Sequence, residues 1–187
     1  MVVPDASTPE AGILDGIRIL DLSDGIAGPV STLLLAESGA DVVAVEPPAG
    51  ARNRRVAGFH TWMRSKRSVV LDVEERDDRA SFDDLLAAAD VLVHNYGPTR
   101  ARALGLDDAT LAERHPQLIV SSVLSWPANH ADADRPVDEP AFDVGLVGID
   151  VHREVDVFLR KRQAFEHQHV RSDDGLHRAG NDVVRGM

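Results

Sequence analysis

Short apolar runs alternate with helix-compatible stretches along most of this chain, and that alternation restricts the fold more than any other feature. Residues 17–23 form a β-favouring run, which Gly25, Gly28 and Pro29 interrupt before residues 30–38 resume with helix formers. Gly39 ends that helix, and residues 40–46 make a second apolar strand that Pro47 and Pro48 close. A βαβ unit results. Further strands are expected at 68–73, 91–96 and 118–124. Residues 77–89 place Phe82, Leu85 and Leu86 on one side of a helix and acids on the other. A short helix follows Gly97 and Pro98 and ends near Gly105, and another spans 108–114 with acids at its start. Strands that read as near-continuous apolar runs are buried on both faces, so the expected class is α/β, a mostly parallel sheet with flanking helices.

The pattern fails after about Pro136, where charged residues and histidines crowd in and the apolar residues scatter. Three regions follow: a flexible lead-in over 1–12, the α/β domain over 13–136, and an atypical segment over 137–187 that reads as a non-native or disordered tail. The lead-in has neither the basic start nor the apolar run of a secretion signal, and no stretch reaches the roughly 20 apolar residues that a membrane span needs.

The chain has no cysteine, which excludes disulfides and thiolate metal sites and points to the cytoplasm. Its net charge of −11 disfavours nucleic acid as a partner. His167 and His169 have a spacing that metal sites use, but no third histidine or carboxylate completes a ligand set, and solvated residues are the plainer reading. There is no permanently bound metal to expect.

Ligands of open parallel sheets bind beyond the carboxyl ends of the strands, and three such places carry suitable residues. Ala27, Gly28 and Pro29 follow the first strand, where they suit either a close ligand approach or an ordinary βα turn. Arg52, Arg54, Arg55, Arg64 and Lys66 crowd the loop before the third strand, able to hold a phosphate or simply to offset an acidic surface. Asn95, Tyr96, Gly97 and Pro98 end the fourth strand with Arg100 and Arg102 beyond them, where an adenine can stack or Tyr96 can cap the core. The dinucleotide spacing of glycines, the phosphate-binding P-loop and the serine nucleophile elbow are all missing.

The blocks LDGIRILDLS from Leu14, AGP from Ala27, GADVVAVEPP from Gly39, SKRSVVLDV from Ser65, ADVLVHNYGP from Ala89 and HPQLIVSSV from His115 occur in a familiar order and spacing. Over residues 14–125 the chain resembles the class III CoA-transferases, the family of formyl-CoA transferase, carnitine-CoA transferase and α-methylacyl-CoA racemase. The resemblance implies a Rossmann-like domain that binds coenzyme A as substrate, and an interlocked homodimer in full-length relatives. It implies that the 3′-phosphate-ADP end lies near Glu46, Leu71, Asn95, Tyr96 and Arg102, with Ala27, Gly28 and Pro29 along the pantetheine path. Two positions depart from the pattern: Pro47 stands where relatives often carry Arg, and Glu74 where some carry Lys.

Such enzymes move coenzyme A between an acyl-CoA and a carboxylic acid by attack of an aspartate on the thioester, through mixed-anhydride and aspartyl-CoA thioester intermediates. That aspartate normally follows the fifth strand within a Gly-rich apolar helix, and no such stretch is found here. Asp143 and Asp150 lie in the right region but outside that context, and read as surface acids. No catalytic residue is assigned. The chain is therefore expected to be truncated before the second domain, with a frameshift near residue 138. An inactive CoA-binding fragment and a racemase-like protein are the alternatives to a transferase.

Overall fold

A computed structural model describes residues 12–135 and, as backbone, 148–152. Strands β1 (Arg18–Leu22), β2 (Asp41–Glu46), β3 (Arg67–Val70), β4 (Val91–His94), β5 (Ile119–Leu124) and β6 (Gly148–His152) form one sheet in the order β3-β2-β1-β4-β5-β6. All neighbours pair in parallel except β5 and β6. The helices are α1 (Ala27–Glu37), α2 (Phe59–Trp62), α3 (Arg76–Ala88), α4 (Pro98–Ala103) and α5 (Asp108–Arg114). This is the mostly parallel α/β architecture expected from the alternating runs.

Successive strand residues face opposite sides of the sheet. Leu20 and Leu22 of β1 join Phe82 and Leu86 of α3, Leu111 of α5, and Leu92, Leu118 and Val120 in the main core. Asp21 faces the other way and meets Thr32 of α1. Phe82 and Leu86 are four residues apart and wholly buried, while Asp77 and Asp78 occupy the first turn of α3, where carboxylates complement the helix dipole. Burial of Phe82 contributes about 3 kcal/mol. Gly39 takes φ +105° after α1, a conformation that side-chain-bearing residues avoid, and so turns the chain directly into β2.

Two stretches depart from the expectation. Residues 47–66, expected as a loop, contain a 3-10 turn over Arg52–Arg55 and the single turn α2. Their local order comes from the end of β1: the Asn53 side chain donates to the Gly25 carbonyl at 3.0 Å, and the Asn53 N–H donates to the Asp24 carboxylate. In addition, residues 148–152, which show no periodicity, pair antiparallel with β5 through Leu124↔Gly148 to Val120↔His152. An edge strand needs only backbone hydrogen bonds on one side, so side-chain pattern does not announce it. The rest of 137–187, with Asp143, His167 and His169, lies outside the described residues, as does 1–11 of the lead-in.

Candidate functional site

Strand order reverses between β1 and β4: the chain runs outward from β1 through β2 to β3, then crosses back to β4 on the other side. Connections leave β1 and β4 in opposite directions there, which opens a crevice at the carboxyl ends of the two strands. In this protein the crevice is a cleft of about 700 Å³. Its apolar floor includes Leu22, Val45, Leu71 and Val73, and its rim carries Asp24, Arg52, Glu74, Asn95, Tyr96 and Arg100.

The amide of Asn95 joins the two strand ends. It donates to the Asp24 carbonyl at 2.7 Å and accepts from the Asp24 N–H at 3.1 Å. The Asp24 carboxylate accepts from the Gly25 N–H at 2.7 Å and from Arg52 Nε at 2.9 Å. Burial pushes this carboxyl up, but the hydrogen bonds and charge of Arg52, with the Gly25 and Asn53 N–H groups, hold it below the usual aspartate range.

Tyr96 forms the opposite wall. Its ring stacks on His94 with centroids 5.8 Å apart, and the Arg100 guanidinium lies 5.0 Å from its centroid. Arg100 also reaches across the mouth to Glu74 at 2.8 Å. Burial raises the Tyr96 phenol above its ordinary value, so the ring is neutral at physiological pH. Asp134 closes the far side, accepting from the Thr99 N–H at 2.8 Å and from its hydroxyl at 2.6 Å. His94 Nδ1 accepts from the Tyr96 N–H at 3.3 Å, so its Nε2 carries the proton and donates to Ser122 Oγ at 3.2 Å.

Of the residues expected around a coenzyme, the structure brings Leu71, Asn95 and Tyr96 to the cleft, together with Pro47. Arg102 lies on the other side of Tyr96, in a hollow of about 290 Å³ that His94 and Ser122 also line. Glu46 is 3% exposed and holds Arg54 through both carboxylate oxygens, tying β2 to the loop that follows. Ala27, Gly28 and Pro29 are buried in the first turn of α1 and line neither hollow. A Cβ on Gly28 would fall 2.2 Å from the Ser23 side chain, so close packing of α1 on the β1 turn accounts for that glycine.

The basic loop is not the open positive patch that its composition suggests. Arg52 pairs with Asp24, Arg54 with Glu46 and Arg64 with Glu37. Lys66 turns inward until its side chain is wholly buried, donating to Thr32 Oγ1 at 2.6 Å, to the Pro29 carbonyl at 2.7 Å and to Asp21 at 3.2 Å. Burial lowers the Lys66 pKa, against the opposing pull of Asp21. Sequence reasoning passed over Asp24, Thr99 and Asp134 as cleft residues. A signal existed for Asp24, an acid at the exit of the first strand, but none for Asp134, which comes from a segment distant in sequence.

Strand order, parallel pairing and a cleft at the reversal point define an open, doubly wound α/β module. The chain belongs to CoA-transferase family III, whose model matches residues 14–148. It is 35% identical over 146 residues to the succinyl-CoA:mesaconate CoA-transferase of Haloarcula hispanica, covering 71% of this chain and 37% of that one. To the acetyl-CoA:oxalate CoA-transferase of Acetobacter aceti it is 33% identical, over 59% of this chain and 31% of the relative. The crystal structure of a CAIB/BAIF family protein from Brucella suis superposes with a TM-score of 0.64 at 31% identity, over 68% of this chain and 37% of that one. This chain thus matches about a third of the length of these relatives. The family match also runs beyond Pro136, where the alternating sequence pattern ends.

Proposed function

We propose that the cleft between the ends of β1 and β4 receives the coenzyme portion of an acyl-CoA, and that this chain supplies the coenzyme-binding part, without the nucleophile, of a transfer of coenzyme A between an acyl-CoA and a carboxylic acid. The observation that carries this reading is the position of the cleft at the point of strand reversal, inside the span that matches the family. Residues 13–136 are then the coenzyme-binding unit. The purine stacks on Tyr96 in place of the Arg100 guanidinium that covers the ring, while Leu71 and Val45 supply apolar contact. Asn95 acts indirectly by fixing the two strand ends against each other.

The four carboxylates of the cleft are poor nucleophiles as they stand. Asp24 and Asp134 are held by several donors, Glu74 by Arg100, and Asp72 by the Glu74 N–H. We therefore expect the 187-residue chain to bind coenzyme A without exchanging it. Incubation with succinyl-CoA and a free dicarboxylic acid, followed by chromatography of the thioesters, tests this: no new thioester is expected, and exchange at ordinary enzyme rates would contradict it.

The absence of cysteine supports a cytoplasmic setting, and the net charge of −11 supports exclusion of nucleic acid. Among the described residues no helix is long and apolar enough to cross a membrane. The family resemblance adds an interlocked homodimer in full-length relatives.

A further inference from the structure

The charges around the cleft do not suit every part of a phosphorylated ligand equally. Four carboxylates line it, those of Asp24, Asp72, Glu74 and Asp134, against the two guanidiniums of Arg52 and Arg100. Arg52 is bonded to Asp24 at 2.9 Å and Arg100 to Glu74 at 2.8 Å. Of the other cations nearby in sequence, Arg54 and Arg64 hold Glu46 and Glu37, Lys66 is buried under α1, Arg102 lines the second hollow, and Arg55 and Arg76 are exposed without lining the cleft.

We infer that Glu74 sets the specificity of this cleft against a phosphate monoester, so that dephospho-CoA binds at least as tightly as coenzyme A. The inference rests on the coenzyme reading proposed above. Glu74 stands at the mouth beside the face of Tyr96, held by the same guanidinium that caps the ring. A 3′-phosphate brings about two negative charges at neutral pH to this rim. To bond Arg100 it must displace Glu74, and it then faces the released carboxylate at short range. Because Glu74 and Arg100 are both more than half exposed, their pair contributes little to the fold and its replacement leaves the scaffold intact.

Isothermal titration of the full chain with coenzyme A and dephospho-CoA, repeated on Glu74→Lys and Glu74→Gln, tests the inference. The unaltered protein should bind dephospho-CoA equally or more tightly. Glu74→Lys should shift the ratio of affinities toward coenzyme A by about tenfold, the worth of one charge-assisted hydrogen bond, with Glu74→Gln between the two. A preference of the unaltered protein for coenzyme A, or a ratio that neither substitution moves, overturns the role of Glu74 and leaves the coenzyme reading standing. Binding of neither nucleotide overturns the coenzyme reading, and the inference with it.

Discussion

Lys66 shows how far a residue's role can depart from its neighbourhood in sequence. It sits among arginines that face solvent, yet its ammonium is buried with Asp21 and Thr32, and the Ser23 hydroxyl donates to the same aspartate. One clue was available, since Asp21 interrupts an otherwise apolar strand and such an acid needs a partner. Removing one member of a buried pair strands the other, so Lys66→Met should cost about 3 kcal/mol in urea unfolding, more than the double variant Lys66→Met/Asp21→Leu. Asp24 carries a pH signature. Its folded pKa lies below the ordinary value near 3.9, so its stabilising contribution is complete above that value and is lost as pH falls through the folded one. Asp24→Asn should therefore be less stable at pH 7, with the gap narrowing below about pH 4, as denaturation at both pH values would show. Asn95 and Tyr96 were readable as cleft residues because strand ends in a parallel sheet face the ligand side, whereas Leu71 was pointed to by the family resemblance alone. Glu46 is also at a strand end, but its side of the pleat depends on register, which one sequence does not reveal.

At the scale of elements, α5 was readable to the residue, since Asp107 caps it by accepting from the Thr110 N–H at 3.3 Å and the acids of its first turn mark its start. The five parallel strands were readable from their apolar runs. β3 stops short of the expected 68–73 because Asp72 and Asp78 bind the backbone of the turn, with the Glu74 N–H donating to Asp72 and the Asp72 N–H to Asp78. Two wholly buried side chains, Phe82 and Leu86, anchor α3, and Phe82→Ala should lower unfolding free energy by about 3 to 5 kcal/mol, measured by chemical denaturation. The contact between Asp134 and α4 is a cap from outside the helix. Asp134→Ala should cost about 1 kcal/mol and loosen that wall of the cleft, detectable as faster amide exchange at Thr99.

For the whole molecule, the order β3-β2-β1-β4-β5 is one of the few that right-handed crossovers leave open to the expected elements, and it puts the reversal point between β1 and β4. That ligands sit beyond the carboxyl ends of the strands was available before any coordinates, whereas the strands that flank the cleft and its charge balance were not, because those depend on strand order and on which acids meet the arginines. In the proposed function, this cleft binds coenzyme A through Tyr96. Calorimetric titration of the 187-residue chain with coenzyme A, beside Tyr96→Ala, tests it most directly. The account predicts saturable one-site binding that weakens about tenfold or more in the variant, in keeping with the worth of one base stacked on an aromatic ring. Absence of binding, or equal affinity in the two proteins, would contradict it.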